Sequence, residues 1–456
     1  MTTTICAPAT PTGGAISVIR ISGPQAIESV SNIFSRDLTQ AVGYTLHYGT
    51  ITPQDSTEPL DDVIISVYRA PHSYTGEDSI EISCHGSRYI TQRILQALIH
   101  QGCRMAKPGE FTRRAFLNGK MDLTQAEAVA DLIASHSEAT HRMALTQMRG
   151  GFSRALEDLR TQLLHLTSLL ELELDFSDHE DIEFANRSQL TTLTHTIHDR
   201  LTTIANSFQA GNALKQGIPV AIIGAPNVGK STLLNALLNE EKAIVSDIQG
   251  TTRDLIEDTI QIQGITFRFI DTAGIRKTTD RIEQMGIERS IQAARRAQII
   301  ILLTESGQPF PDIDKLTTHD TSHTPATIIR VINKCDKYLP PTSFKFHRWQ
   351  NGGTLHISSL TGAGMQQLTD ALIYNAHLPH ITQGDIVVSN LRHYEALTQA
   401  LSDIERVEQG LSHSTPSDLI AEDLRLCLHH LAEITGGEIT SDEVLSNIFK
   451  HFCIGK

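Results

Sequence analysis

Two glycines, a lysine and a serine at fixed spacing are the first residues whose types could do chemistry. They lie in Gly224-Ala-Pro-Asn-Val-Gly-Lys-Ser231, which fits the phosphate-binding pattern G-x-x-x-x-G-K-[ST]. Glycines let backbone N–H groups surround phosphates, and the N-terminus of a following helix favours an anion. We therefore expect Lys230 to reach the β- and γ-phosphates and the Ser231 hydroxyl to bind Mg²⁺.

The residues on either side of this loop predict the elements that must position it. An apolar run of strand length precedes it at 218–223, and apolar residues at helical spacing follow it at 232–238. A P-loop joins a strand to a helix in this way. The sequence therefore predicts a nucleotide-phosphate site at the end of a strand.

Two polar motifs after the loop are expected to reach the γ-phosphate and the metal. In Gly250-Thr-Thr-Arg-Asp254, Thr252 is the candidate for closing on Mg²⁺ and the γ-phosphate, as switch loops do. Asp271-Thr-Ala-Gly274 follows a strand-like run, where an Asp can hold the metal shell and a Gly N–H can meet the γ-phosphate. These motifs predict hydrolysis of the bound nucleotide.

Two later motifs indicate which base is bound. Asn333-Lys-Cys-Asp336 ends another strand-like run, and its Asp carboxylate can accept two hydrogen bonds, from N1–H and the 2-amino group of guanine. Adenine offers neither donor, so this motif predicts GTP rather than ATP. Ser358-Ser-Leu360 is expected to close over the base.

The predicted nucleotide contacts come from these motifs and from the residues just before Gly250. Lys230 is expected to be catalytic as well as binding. The full predicted set is Asn227, Val228, Gly229, Lys230, Ser231, Thr232, Ser246, Asp247, Ile248, Gln249, Gly250, Thr251, Thr252, Asp271, Thr272, Ala273, Gly274, Asn333, Lys334, Asp336, Ser358, Ser359 and Leu360.

The residue after the Asp-Thr-Ala-Gly motif narrows the mechanism. It is Ile275, where Ras-like enzymes carry the glutamine that orients the attacking water. No arginine finger is evident in the chain, although Arg253 and Arg276 are near in sequence. Another cation beside the phosphates could serve instead, and Asn227 is suitably placed to help coordinate it.

Composition limits the class of protein. The chain has 456 residues, enough for two to four domains, and 40% are hydrophobic, enough for real cores. The net charge of −14 is not that of a nucleic-acid-binding chain, although it does not exclude a local basic patch. We expect no signal peptide or membrane span. Six scattered cysteines without a C-x-x-C pair indicate neither zinc nor disulfides, and we expect a reducing cytoplasm.

Periodicity predicts a multidomain α/β plus all-α fold. Strand patterns occur at 15–21, 62–68, 79–84, 218–223, 265–270, 298–303, 327–332 and 354–357. Leucines recur every three or four residues between 156 and 174, which predicts helices packed in a bundle. We predict an α/β domain over 1–118, helical segments over 119–216 and 379–456 that pack together, and a Ras-like P-loop domain inserted over 217–378.

The motifs together resemble one family. Gly-x-Pro-Asn-Val-Gly-Lys-Ser, Gly-Thr-Thr-Arg-Asp and Asp-Thr-Ala-Gly resemble the TrmE–Era group of GTPases. The C-terminal Phe452-Cys-Ile-Gly-Lys456 is similar to the end of the MnmE tRNA modification GTPases, as are Val18-Ile-Arg-Ile-Ser-Gly23, Tyr74-Thr-Gly-Glu-Asp78 and Pro108-Gly-Glu-Phe111. The resemblance covers essentially the whole chain.

The resemblance implies a folate site in the N-terminal domain, which would also form a homodimer. It would bind 5,10-methylene- or 5-formyl-tetrahydrofolate through Arg20, Glu81, Lys120 and Lys456. Arg and Lys suit the folate carboxylates, and Glu suits the pterin ring. With the FAD-containing partner MnmG, in a heterotetramer, the protein would install a carboxymethylaminomethyl-type group at C5 of the tRNA wobble uridine.

The resemblance also implies how GTP is hydrolysed. K⁺ would activate the GTPase domain when two such domains meet, with Asn227, Ser246, Thr251 and the Ile248 backbone as its ligands. Glu283 would be catalytic, orienting the attacking water through a second water.

Two other functions remain as alternatives at the level of sequence. One is an Era-like ribosome-assembly GTPase, which the C-terminal Cys-Ile-Gly-Lys and the lack of a basic RNA-binding tail disfavour. The other is a folate-binding scaffold with a structural nucleotide, which K⁺-stimulated turnover would distinguish.

Overall fold

The computed structural model describes residues 3–11, 13–175, 187–240, 258–270, 292–312, 326–338, 353–376, 386–413 and 415–437, together with 445, 448–450, 452 and 455. The chain forms two compact units. The first comprises Met1–Ala134, Ala144–Leu201 and Ala396–Lys456, and the second comprises Ser135–Met143 and Thr202–Glu395.

Strands form a sheet in each unit. They are β1 (Ile5–Pro8), β2 (Ile16–Ser22), β3 (Thr45–Ile51), β4 (Asp61–Tyr68), β5 (Ser79–His85), β6 (Arg104–Met105), β7 (Ile218–Gly224), β8 (Asp258–Ile262), β9 (Ile265–Phe269), β10 (Ile299–Glu305), β11 (Thr327–Asn333) and β12 (Thr354–His356).

Helices cover the sheets and form the remaining layers. They are α1 (Ala26–Ser31), α2 (Arg88–His100), α3 (Glu110–Leu117), α4 (Leu123–Ile133), α5 (Glu138–Met148), α6 (Gly151–Asp175), α7 (Arg187–Asn206), α8 (Phe208–Gln216), α9 (Lys230–Glu240), α10 (Met365–Asn375), α11 (Leu391–Ser412) and α12 (Ser417–Thr435). None of the helices in the described ranges combines the length and the apolar character that a membrane crossing requires.

The sheet of the first unit is mixed, with its two faces used differently. Its order is β3-β4-β5-β2-β1-β6, antiparallel except for the parallel pair β1–β6. Successive strand residues face opposite sides, so Ile80 and Ile82 enter a core shared with α1 and α2. Glu81 lies on the opposite face, where Phe111 of α3 packs on Ile5 of β1.

The helices of the first unit pack along leucine stripes. Leu156, Leu159 and Leu163 of α6 are buried, as the spacing of leucines predicted. Helix α12 lies along α6, where Arg425 Nη2 donates to Glu171 Oε1 at 3.0 Å. The C-terminal helical segment therefore packs on the first one, which confirms that prediction.

The sheet of the second unit is parallel apart from one edge strand. Its order is β12-β11-β10-β7-β9-β8, and only β8 pairs antiparallel among the described strands. Both faces are buried: Ile299 and Ile301 of β10 join one core, and Ile300 and Leu302 join the other. This explains why the strand is a continuous apolar run.

The observed strands and helices confirm the predicted α/β plus all-α fold class. Every strand predicted from the pattern is present and ends within two residues of its predicted bounds. Among the strands of the described residues, four were not predicted, namely β1, β3, β6 and β8. β1, β6 and β8 are short, and β3 contains several polar residues, so none of them has a clear strand pattern in the sequence.

A buried arginine fixes α3 against the first sheet. The Arg114 side chain is 1% exposed, and its Nη1 donates to Glu77 Oε2 at 3.0 Å. Its Nη2 donates to the Thr3 carbonyl at 2.9 Å and to Glu110 Oε1 at 3.2 Å. Arg104 Nη2 donates to the same Glu110 oxygen at 2.6 Å. These bonds join the residues just before β1, the loop before β5, and α3.

The Glu110 carboxylate makes this network sensitive to acid. Burial raises its pKa, but the hydrogen bonds from Arg104, the Lys107 N–H and Arg114 outweigh this and lower the pKa to about 2. A depressed folded-state pKa adds stability above the unfolded value of about 4.5, and that stability is lost as pH falls toward 2.

We predict that Glu110→Gln lowers the free energy of unfolding at pH 7 by about 2 kcal/mol, allowing for solvent screening. The difference from wild type should shrink between pH 4.5 and pH 2, measured by urea denaturation. Glu138→Gln is the matched control, because Glu138 accepts from Arg142 at 2.6 Å but is 78% exposed. A difference at pH 2.5 as large as the one at pH 7 would contradict the prediction.

Candidate functional site

The P-loop lies where the sequence predicted, between β7 and α9. Asn227 has φ of 63° and Gly229 has φ of 97°, so the chain turns through the left-handed region. A Cβ on Gly224 would overlap the Leu303 carbonyl oxygen of the neighbouring strand β10. The loop therefore runs close to the sheet, with Ser231 and Thr232 in the first turn of α9.

Lys230 points back along the loop. Its Nζ donates to the carbonyl oxygens of Gly224 at 2.6 Å and Ala225 at 3.1 Å. Burial lowers the pKa of this lysine. The ammonium group is therefore held among the carbonyls of the P-loop, and its contact with phosphates stays a prediction.

Asn333 joins the P-loop to the predicted base-binding loop. Its Nδ2 donates to the Val228 carbonyl at 2.9 Å. Its Oδ1 accepts from the Ser359 N–H at 3.0 Å and from the Ser359 hydroxyl at 2.9 Å. The side chain is buried, so these bonds are shielded from water.

The proposed guanine carboxylate lies beside the same loop. Ser358 Oγ donates to Asp336 Oδ1 at 2.5 Å, and the Ser358 hydroxyl accepts from the Thr361 N–H at 3.3 Å. Leu360 is 79% exposed at the tip of the loop. The structure thus brings Asn333, Asp336 and 358–360 together at one end of the sheet.

Glu305, which was not predicted from the sequence, contacts the predicted residue Lys334. Lys334 Nζ donates to the Asn227 carbonyl at 2.7 Å and forms an ion pair with Glu305 Oε2 at 2.8 Å. The hydrogen bond from Lys334 lowers the pKa of Glu305. Glu305 ends β10, and a carboxylate at the carboxyl end of a parallel strand is a signal that could have identified it.

The remaining predicted nucleotide contacts lie outside the described residues. They are Ser246, Asp247, Ile248, Gln249, Gly250, Thr251, Thr252, Asp271, Thr272, Ala273 and Gly274, together with the predicted catalytic Glu283. Their roles stay predictions.

Arg20 and Glu81 form a paired centre on the face of the first sheet where α3 packs. They lie directly opposite in the β2–β5 register. Arg20 Nε and Nη2 donate to Glu81 Oε1 at 2.9 and 2.8 Å. The Arg20 guanidinium lies 5.4 Å from the Tyr74 ring centroid and 5.8 Å from that of Phe111. These two aromatic neighbours were not among the predicted contacts.

Of the other two predicted folate residues, Lys120 is described and Lys456 is not. Lys120 Nζ donates to the Pro71 carbonyl at 2.9 Å, and it is not bonded to Arg20 or Glu81 in the described contacts. Lys456 lies outside the described residues, but the Gly455 carbonyl accepts from Arg20 Nη1 at 3.2 Å. The C-terminus therefore returns to Arg20 within one chain.

Comparisons with known proteins cover the same regions. A family model described as "GTP-binding protein TrmE N-terminus" matches residues 4–120, and one described as "MnmE helical domain" matches 123–453. The solved G domain of the T. maritima FeoB iron transporter is 23% identical and covers 35% of this chain and 99% of that one. Its TM-score is 0.23, which is too low to support an argument.

Relatives match over the full length. The "tRNA modification GTPase MnmE" of Parabacteroides distasonis is 55% identical over 464 residues, covering 99% of this chain and 100% of that protein. The protein of the same name from Phocaeicola vulgatus is 52% identical over 493 residues, covering 99% of each. The chain belongs to the MnmE family of tRNA modification GTPases.

Proposed function

We propose that this chain hydrolyses GTP with K⁺ as activator and uses a tetrahydrofolate one-carbon unit to modify the tRNA wobble uridine at C5 together with MnmG. The product would be the carboxymethylaminomethyl-type group. The observation that carries this proposal is the presence, in one chain, of the Asn333-centred nucleotide site and the Arg20–Glu81 centre.

Several groups of the second unit suit GTP. The Asp336 carboxylate lies beside the predicted base-binding loop. There it would accept hydrogen bonds from N1–H and the 2-amino group of guanine. Lys230 supplies positive charge for the phosphates. Ser231, in the first turn of α9, supplies the hydroxyl that suits Mg²⁺, which polarises phosphate oxygens when bound. Thr252 is proposed to complete that site.

Asn227 fits a role in holding K⁺. Its side chain is exposed, and its backbone has a left-handed conformation. The backbone carbonyl accepts from Lys334, whereas the side-chain amide oxygen accepts no hydrogen bond in the described contacts. An amide oxygen is a suitable ligand for a hard cation. Ser246, Thr251 and the Ile248 backbone are proposed to complete the set, and Glu283 to orient the attacking water.

The Arg20–Glu81 centre fits a folate. A carboxylate can accept from the N–H donors of a pterin, and a guanidinium can bind a folate carboxylate bidentately. Tyr74 and Phe111 supply aromatic surface beside them. The methylene or formyl group is the one-carbon unit that the folate would bring. Lys120 and Lys456 are proposed as further carboxylate ligands.

The first sheet supports a homodimer. Leu46 and Tyr48 of β3 are 71% and 60% exposed, and Ile64, opposite Tyr48 in the register, is 46% exposed. An uncovered apolar face of this kind is typical of an association surface. We therefore propose that a second copy of the chain covers it.

Other parts of the proposal rest on the family alone. MnmG, carrying FAD, would join the homodimer in a heterotetramer, tRNA would be the substrate, and the cytoplasm would be the compartment. The division into 1–118, 119–216, 217–378 and 379–456 is proposed as the domain organisation.

We predict that Asp336→Asn weakens GTP binding about 10- to 100-fold, because hydrogen bonds to a charged acceptor contribute about 1.5–3 kcal/mol. Xanthosine triphosphate should bind better to the variant than GTP does. Asp370→Asn is the control, since Asp370 accepts from Gln366 at 3.0 Å on the exposed side of α10. Calorimetric titration measures both. Unchanged GTP affinity would exclude the assignment of Asp336.

We predict that K⁺ raises GTP hydrolysis at least about tenfold over Na⁺ at equal ionic strength, because added positive charge beside the phosphates can replace an arginine finger. Asn227→Gly removes the amide but tolerates the left-handed φ, so it should lose K⁺ stimulation and keep GTP affinity. Glu283→Ala should lose most turnover and also keep affinity. Equal rates in K⁺ and Na⁺ would refute the mechanism.

Mass spectrometry of wobble uridines tests the modification itself. We expect cells lacking this protein to lose the modified uridine and to recover it with wild type but not with Arg20→Met. Arg93→Met is the matched control, because Arg93 Nη2 donates to both carboxylate oxygens of Asp55, at 2.8 and 2.9 Å, on the surface. Both purified variants should hydrolyse GTP at the wild-type rate. Recovery with Arg20→Met would argue against the folate site.

A further inference from the structure

The last described residues of the chain form an anchored segment. This segment, called the tail, comprises Leu445, 448–450, Phe452 and Gly455. Leu445 and Phe449 share a buried cluster with Leu123 of α4, and Phe452 packs against that cluster. The Phe449 and Phe452 rings lie 5.0 Å apart at 58°.

Gly109, at the N-terminus of α3, lies directly under the tail. A Cβ on this residue would lie 2.8 Å from the Phe449 carbonyl oxygen and 2.9 Å from Phe452 Cβ. Contacts this short do not occur for real side chains, and the φ of 66° also disfavours one. The tail therefore packs against α3 only because this residue has no side chain.

The far end of the tail contacts Arg20. Gly455 is buried, and its carbonyl accepts from Arg20 Nη1, while Glu81 accepts from Nε and Nη2. A guanidinium has five N–H groups. In the described contacts, Glu81 and Gly455 take three, which leaves one on each terminal nitrogen for a ligand. The tail and Glu81 thus fix the orientation of the guanidinium plane from two sides.

We propose that Gly109 is a positioning residue for the folate site. It seats Phe449 and Phe452, so that the Gly455 carbonyl holds Arg20 with its two remaining donors directed to the ligand. This rests on the proposed folate function, since that function supplies the ligand. Neither Gly109 nor the two phenylalanines touches the ligand in this role.

Gly109→Ala tests the proposal, with Gly102→Ala as the matched control. Gly102 also has a left-handed φ, of 88°, but a Cβ there meets nothing within 4 Å. Hydrogen exchange of the C-terminal peptide and calorimetric titration with 5-formyl-tetrahydrofolate are the readouts. In Gly109→Ala we expect faster exchange and about tenfold weaker affinity, the scale of a lost hydrogen bond to a charged group. GTP hydrolysis should be unchanged in both variants.

The same substitution in a truncated protein distinguishes a positioning role of Gly109 from a general structural defect. Protein lacking 453–456 should itself bind folate more weakly, because Gly455 and the proposed ligand Lys456 are both gone. In that protein, Gly109→Ala should weaken folate binding by less than a further factor of about two, because the residue that Gly109 positions is absent. Equal losses in both backgrounds, or wild-type exchange and affinity in Gly109→Ala, would overturn the proposal. If wild type binds no folate, the proposed function fails, and the exchange experiment alone still decides whether Gly109 seats the tail.

Discussion

The candidate nucleotide site depends on one buried amide, that of Asn333. The amide has both a donor and an acceptor, and it uses the first on the P-loop and the second on Ser359. An aspartate could only accept, which would leave the Val228 carbonyl without its buried partner at a cost of about 1–3 kcal/mol. The parallel register places this residue beside Glu305, and Gly224 beside Leu303, so three strand ends converge there.

The Arg20–Glu81 centre depends on an antiparallel strand pair, whereas the nucleotide site lies at the ends of parallel strands. Arg20 and Glu81 are cross-strand neighbours in an antiparallel pair, so the sheet itself sets their separation. Helix α3 and the tail then add contacts from outside the sheet. The nucleotide site thus uses strand ends and loops, whereas this centre uses a sheet face that is partly open to solvent.

The sequence was sufficient for the motifs and for most elements, because these depend on local spacing. The full-length relatives confirm the predicted class, a tRNA modification GTPase, and leave little support for an Era-like function. Contacts that depend on tertiary approach could not be read from spacing. Glu305, at the end of β10, meets Lys334, which follows β11, and Phe111 of α3 lies beside Arg20 of β2, far away in the chain. The roles of Glu283, Lys456 and the loop 246–252 stay predictions.

The first turn of α3 shows why a short motif can serve several contacts at once. Successive helix residues point about 100° apart, so neighbours in sequence meet different parts of the unit. Gly109 meets the tail, Glu110 meets Arg104 and Arg114, and Phe111 lies by Arg20. Thr112 is hydrogen-bonded to the Tyr74 hydroxyl at 2.9 Å. A change at any one of these positions therefore acts on a different contact, and of the four it is Gly109 that contacts the tail.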